Sequence, residues 1–139
     1  MTFDKSGAAR LTKGWTTKYE DGAKLERTHA DGRPCLRIEP AGPSQASWRN
    51  GAQLSAGRYR FESRVSTRGG EGPGAGLQIP GRGPEIETVR DDSDWRNFSF
   101  EFDVPADGGE VILVAELRAN KGEARFALDS LRLVRLEPK

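Results

Sequence analysis

The side chains best suited to bind a ligand in this sequence are tryptophans and arginines. An indole offers a large flat apolar face with a polar edge, which suits it to stack on a sugar ring. A guanidinium offers a planar fork of donors that can bind a carboxylate through two hydrogen bonds. Trp48 is the most favourable tryptophan, because it lies beside a predicted turn at Asn50-Gly51 and has hydrogen-bonding neighbours. We predict these ligand-binding residues: Trp48, Arg60, Arg64, Trp95 and Arg118.

These residues also have a purely structural interpretation. Trp15 and Trp95 stand where core or rim packing is expected. The outward positions of the predicted strands are mostly charged, so their arginines and glutamates can form cross-strand ion pairs, each worth only about 0–1 kcal/mol at a surface. The other interpretation is that Arg60, Arg64 and Arg118 recognise an anionic sugar or another carboxylate. The sequence leaves both interpretations open.

The sequence offers little support for catalysis. His29 is the sole histidine, and no Gly-x-Ser-x-Gly elbow frames a serine, so a Ser-His-Asp triad has no basis. Cys35 has no neighbouring motif that would stabilise a thiolate, which predicts an inert strand residue. The glycine-rich stretch 69–76 is not a phosphate-binding loop, since no Lys-Ser or Lys-Thr follows it. We therefore predict that the chain is not an enzyme.

Length and charge limit the remaining classes. The 139 residues correspond to one domain, 1–139, large enough to form a core without disulfides or metals. The charges of the 22 basic and 21 acidic residues nearly cancel. Proteins that bind nucleic acid usually show a basic excess, so we expect no nucleic-acid partner. The sequence contains no run of about 18 apolar residues, so we expect no membrane insertion. Its first residues do not have the pattern of a signal peptide. We expect a cytoplasmic protein or a domain of a longer exported one, of unknown oligomeric state.

Period-2 alternation dominates the sequence and predicts β-strands. The clearest runs are 58–65 and 97–104, in which aromatic and aliphatic residues alternate with polar ones. The run 111–117 is apolar on both sides at first, which is typical of a central strand. The last run, 125–136, changes parity near Asp129-Ser130, which predicts a β-bulge.

Turn residues separate these runs at short intervals. Asp-Gly, Asn-Gly and similar pairs interrupt the chain where hairpins need them. The segment 68–84, rich in glycine and proline, predicts two long loops around a short strand at 77–79. About nine strands without crossover helices predict an all-β fold, an antiparallel two-sheet β-sandwich or jelly roll.

Several short motifs, taken in order, resemble the galactose-binding-like jelly-roll superfamily of carbohydrate-binding modules. Each is weak alone, but their order and spacing match over nearly the whole chain. The motifs are Gly14-Trp15, Asp31-Gly32 before Leu36-Arg37-Ile38, Leu54-Ser55-Ala56-Gly57-Arg58-Tyr59-Arg60-Phe61, Trp95 before Phe98-Ser99-Phe100, and Phe126-Ala127-Leu128-Asp129-Ser130-Leu131.

The resemblance implies a binding module, and it also implies a structural calcium ion near the chain ends. Asp129 matches the final-strand carboxylate that serves as a ligand, and Asp4 and Asp31 are candidate helpers; calcium takes six to eight oxygen ligands. Two departures stand out. Many members carry Asp-Asp or Asp-Asn where this chain has Asp129-Ser130, and sugar-binding members expose aromatic rings where this chain has charges.

Two hypotheses follow. The first is a non-catalytic carbohydrate-binding module that is a domain of a larger bacterial protein or its partner. The alternative is a protein-interaction or assembly module that uses the charged sheet face, the glycine-rich loop or an exposed edge strand. The fold does not distinguish them, because it serves both purposes.

Overall fold

Alternation of apolar and polar side chains makes most of this chain β-strand. The computed structural model describes residues 3–5, 7–19, 23–30, 32–39, 44–71, 74–79, 93–119 and 121–136. Within these ranges the strands are β1 (Ala8–Arg10), β2 (Thr16–Tyr19), β3 (Lys24–Ala30), β4 (Arg33–Glu39), β5 (Ser44–Leu54), β6 (Gly57–Glu71), β7 (Gly74–Gln78), β8 (Ser93–Val104), β9 (Gly109–Ala119), β10 (Lys121–Ala127) and β11 (Arg132–Leu136). A 3-10 turn, Leu128–Ser130, joins β10 to β11.

The strands form two antiparallel sheets, which confirms the predicted β-sandwich. The larger sheet has the order β1-β11-β6-β10-β4-β3, with β8 on the other side of β6, and the smaller sheet has the order β2-β5-β9-β7. Eleven strands are described rather than about nine. No described helix has the length and apolar character needed to cross a membrane.

β10 and β11 behave as one strand that is interrupted where the sequence predicts a bulge. Both pair with β6, but Phe126 lies opposite Val65, whereas Leu133, seven residues later, lies opposite Phe61, only four residues away. The segment between them therefore contains three residues more than the matching segment of β6. These extra residues are accommodated at the 3-10 turn. The interruption leaves the middle of β6 without a strand neighbour on this side.

β5 corrects one prediction, because it continues through Asn50-Gly51 instead of turning there. It pairs with β9 from Ser44 to Leu54, and Gly51 lies opposite Ile112 within that ladder. Asn50 points inward, where its Nδ2 donates a hydrogen bond to the carbonyl of Lys13 at 2.8 Å. The continuous ladder with β9 outweighs the local turn preference of the dipeptide.

The segment 68–84 also differs in part from its prediction. β6 continues to Glu71, whose register partner is Lys121, so the first glycines belong to a strand rather than to a loop. The short strand is present as β7 and starts earlier than predicted. The rest of the segment lies outside the described residues.

The core lies between the two sheets. The inward row of β6 provides Tyr59, Phe61 and Val65, and the inward row of β8 provides Phe100 and Phe102. Tyr59 and Phe102 stack with their ring centroids 5.7 Å apart. Because inward positions alternate with outward ones, the residues between them form a continuous polar row on the outer face.

Candidate functional site

The outer face of the larger sheet carries the polar rows of β6 and β8 side by side. Antiparallel register places Arg60 opposite Glu101, Glu62 opposite Ser99 and Arg64 opposite Asn97. Directly opposite residues are close enough to interact. The face therefore offers guanidinium, carboxylate, hydroxyl and amide groups in two adjacent rows.

A groove of about 570 Å³ crosses this face. This volume lies within the usual range for small-ligand sites. Its lining is polar apart from Phe98 and combines four arginines with three carboxylates: Arg33, Arg60, Glu62, Ser63, Arg64, Asn97, Phe98, Ser99, Glu101, Asp129, Ser130 and Arg132.

The strand interruption forms the floor of the groove. The hydroxyl of Ser130 accepts a hydrogen bond from the backbone N–H of Arg64 at 2.8 Å and donates to the carbonyl of Ala127 at 2.7 Å. Ser130 thereby replaces the missing ladder partner of β6 at this position. The floor is rigid because a side chain completes the backbone hydrogen bonding.

The three carboxylates of the groove are each close to an arginine. Glu62 contacts the guanidinium of Arg132 and accepts a hydrogen bond from Arg60 at 2.8 Å. Glu101 accepts a hydrogen bond from Arg58 at 3.3 Å. Asp129 lies 4.0 Å from Arg33, an exposed pair at the rim.

Arg64 differs from the other arginines of this groove in its partners. Its guanidinium carbon lies 5.8 Å from the ring centroid of Trp95, a distance typical of a cation–π contact. Among the described residues its guanidinium makes no hydrogen bond or ion pair, and the side chain is half-buried. The side chains of Asn97 and Ser99, both exposed, likewise make no hydrogen bond with the described part of the chain.

A second cluster on the same face is centred on Arg37 of β4. Its Nε donates to Glu123 at 2.5 Å and its Nη1 to Glu26 at 2.8 Å, and its Nη2 contacts Glu39. Burial disfavours the charged guanidinium, but the hydrogen bonds to Glu123 and Glu39 outweigh that cost and raise the pKa of Arg37. Each nitrogen of the Arg37 guanidinium therefore has a carboxylate partner within the chain.

The structure brings three of the predicted ligand residues together, namely Arg60, Arg64 and Trp95. Whether they bind a ligand stays a prediction. Arg118 belongs to β9, in the other sheet, and its side chain lies outside the described residues.

The prediction for Trp48 needs correction. Trp48 is 5% exposed and points into the core from the middle of β5, where its Nε1 donates to the carbonyl of Arg37 at 3.3 Å. The error follows from the turn predicted at Asn50-Gly51, which would have left the indole at the surface. Trp15 is a core residue, as its structural interpretation proposes, and its Nε1 donates to the carbonyl of Leu11 at 2.6 Å.

Two of the three residues predicted to bind calcium are described, and they lie at different places in the fold. Asp129 precedes β11, whereas Asp4 lies beside β1, where its Oδ1 accepts a hydrogen bond from the backbone N–H of Ala8 at 3.1 Å. Asp31 lies outside the described residues, which contain no group of three acidic, histidine or cysteine side chains able to hold a metal ion. A calcium site at Asp129, Asp4 and Asp31 stays a prediction.

Several residues of the groove were not among the site residues predicted from the sequence. Asn97 and Ser99 share the outward parity of Glu101, so the alternation of β8 contained a signal for them. Ser130, Arg132 and Arg33 join the groove only through strand pairing and the 3-10 turn, which no local pattern specifies.

The outer face of the smaller sheet has a different character. Glu116 of β9 and its register partner Ser47 point outward, yet they are only 3% and 2% exposed. The Nε of Arg49 donates to the hydroxyl of Ser47 at 3.1 Å. Polar groups on this face are thus enclosed within the chain, whereas those of the groove are open to solvent.

Solved structures with a similar fold include carbohydrate-binding modules. A structure described as a CBM4 is 17% identical with a TM-score of 0.62, covering 88% of this chain and 86% of its own. TmCBM61 in complex with β-1,4-galactotriose is 15% identical with a TM-score of 0.57, covering 88% of each chain. The CBM22-1–GH10 modules of xylanase 10B from Clostridium thermocellum, complexed with xylohexaose, are 14% identical with a TM-score of 0.57, covering 91% of this chain and 27% of that one.

No family model and no curated protein matches the sequence. At these identities the structural likeness shows the fold, and it confirms the fold that the sequence motifs predicted. The chain folds as the β-sandwich of carbohydrate-binding modules.

Proposed function

We propose that this chain is a non-catalytic carbohydrate-binding module that works as part of a larger protein or beside one. The observation that carries this proposal is the likeness over most of the sandwich to modules solved with galactotriose or xylohexaose. In the xylanase, the matching region is about a quarter of a chain that also contains a GH10 module. Fold alone does not establish function, and a binding site is also required.

The groove on the larger sheet is the site that we assign. It has the volume of a small-ligand site, and its exposed Asn97 and Ser99 present an amide and a hydroxyl that can exchange hydrogen bonds with sugar hydroxyls. Trp95 lies against Arg64 and adds an aromatic surface beside the groove. A rigid floor at Ser130 lets these groups keep their positions, which lowers the entropy lost on binding.

Binding rather than catalysis is also what the nucleophile candidates favour. Cys35 is 1% exposed, and burial raises the pKa of its thiol, which keeps it neutral and unreactive. His29 lies exposed on β3, opposite Pro34 of β4 and outside the groove lining. Neither residue is positioned to act with another group of the groove.

A glycan array followed by calorimetric titration tests the proposal. We expect the folded domain to bind one class of polysaccharide, and the double variant N97A/S99A to bind it about tenfold more weakly because two hydrogen bonds are lost. Arg49→Gln, on the outer face of the smaller sheet, is the matched control and should bind normally. Repeating the titration with calcium and with a chelator checks the prediction for Asp129.

Other results would redirect the proposal. If Arg49→Gln abolished binding and N97A/S99A did not, the module would stand but its site would lie on the smaller sheet. If the folded domain bound no glycan, the function would be wrong, and the protein-interaction alternative would be preferred.

A further inference from the structure

We propose that the groove selects an acidic polysaccharide, and that Arg64 binds the carboxylate of a uronic acid residue. This inference rests on the proposed function and names the class of sugar. It starts from the unequal pairing of charges in the groove, where each carboxylate has an arginine nearby but Arg64 has no carboxylate partner among the described residues.

The half-buried guanidinium of Arg64 has no anionic partner among the described residues, so its donors face solvent and are open to a ligand. Arginine has five N–H donors and no acceptor, and it cannot lose its charge in the usual pH range. The described neighbours of Arg64 are an aromatic ring and, in the register position across from it, the neutral amide of Asn97. A ligand carboxylate would complete the site with two parallel, charge-assisted hydrogen bonds.

The contact with Trp95 positions the guanidinium in advance. A planar cation on a ring face has fewer orientations available than a free arginine side chain, so less entropy is lost when a ligand binds. The backbone N–H of Arg64 is held by Ser130 at 2.8 Å, which fixes the base of the same side chain. Both ends of Arg64 are therefore restrained before a ligand arrives.

The size of the site favours a sugar over an acidic protein partner. A groove of about 570 Å³ suits a ligand of a few rings. A stable protein interface would instead bury roughly 800 Å² on each partner. Asn97 and Ser99 lie on the neighbouring strand, where they can reach the hydroxyls of the same sugar or of the next one.

The test is titration calorimetry near physiological salt with polygalacturonate, alginate and glucuronoxylan. Carboxyl-reduced polygalacturonate, dextran sulfate and polyglutamate serve as ligand controls. We expect at least one polyuronate to bind, and Arg64→Gln to weaken that binding roughly ten- to hundredfold through loss of charged hydrogen bonds. Arg64→Lys keeps the charge but loses the fork, and should weaken binding severalfold.

Arg58→Gln is the matched control variant. It removes the same charge from the same face of β6, but Arg58 pairs with Asp103 at 3.1 Å and lies outside the groove lining. Arg58 also contacts the groove residue Glu101 at 3.3 Å, but Glu101 keeps Arg60 opposite it in register. The affinity of the variant should therefore stay within about twofold of the wild type, since an exposed paired charge contributes little. An unfolding curve for each variant confirms that the protein is folded.

Five results would overturn the inference. Equal losses in Arg58→Gln and Arg64→Gln, or equally tight binding of dextran sulfate, would indicate general charge attraction. Binding of neutral glycans that is unaffected in Arg64→Gln would leave the module but remove its acidic specificity. Binding of polyglutamate without any polysaccharide would indicate an acidic protein partner. Absence of all glycan binding would remove the proposed function as well.

Discussion

Two regions of this protein combine one arginine with one tryptophan, and they use them in opposite ways. Around Arg37, three carboxylates surround the guanidinium, and Trp48 lies beneath it in the core. Around Arg64, Trp95 lies on the outer face beside the guanidinium, and the nearest described groups are polar and uncharged or belong to other arginine pairs.

The difference shows that residue type does not assign a role. In the first region the indole faces inward and the charges satisfy one another, which is the arrangement of a structural cluster. In the second region the indole faces outward, and the guanidinium has no carboxylate partner in the part of the chain that the structure describes. Side-chain parity and the position of neighbouring carboxylates decide which role an arginine takes.

Replacing the two tryptophans should give the largest difference between the regions. Trp48→Ala should destabilise the fold by about 3–5 kcal/mol, because it leaves a large cavity in the core. Trp95→Ala should cost less, about 1–2 kcal/mol, since the half-buried indole lies on the outer face and its removal leaves no cavity in the core. Urea unfolding of both variants measures the free energies. Equal losses would contradict the separation of the two regions.

Replacing the two arginines should give a smaller difference in the free energy of unfolding, again with the larger loss in the first region. Arg37→Gln leaves carboxylates without their shared cation, and we expect a loss of about 2–3 kcal/mol, less than for a fully buried pair. Arg64→Gln should change stability by less than about 1 kcal/mol and act on binding instead. The double variant R37Q/E123Q is the control, and it should recover part of the loss. A stable Arg37→Gln protein with weakened sugar binding would contradict the structural role assigned to Arg37.

The smallest effect concerns the floor of the groove. Ser130→Ala leaves the backbone N–H of Arg64 without its side-chain acceptor, which should cost about 1–2 kcal/mol. Ser99→Ala, at an exposed serine, should cost less than about 0.5 kcal/mol. Thermal and urea unfolding compare the two. If Ser130→Ala were as stable as Ser99→Ala, the interruption of the strand would not depend on this hydroxyl.

The strand predictions succeeded where side-chain alternation is long and regular. The inward row of Tyr59, Phe61 and Val65 and the parity change near Asp129-Ser130 are both confirmed. The prediction failed at Asn50-Gly51, because turn preference is a local property and pairing of β5 with β9 is not. The error moved Trp48 from the core to a predicted surface.

The candidate site was predicted only in part, for a similar reason. Arg60 and Arg64 are two residues apart in one outward row, so parity alone places them on one face. Ser130 and Arg132 come from distant parts of the chain and reach the groove through the register of β11 with β6. A single sequence contains no direct record of that register.

The sequence by itself determined the class of fold and which side chains face outward, because a period of two residues is a local and physical property of a strand. Only the tertiary structure decided which charges satisfy one another. The energy of an ion pair depends on the distance between atoms that are far apart in the chain, and strand order and register set that distance. Arg37 and Arg64 are alike in sequence pattern, and the positions of their neighbours separate them.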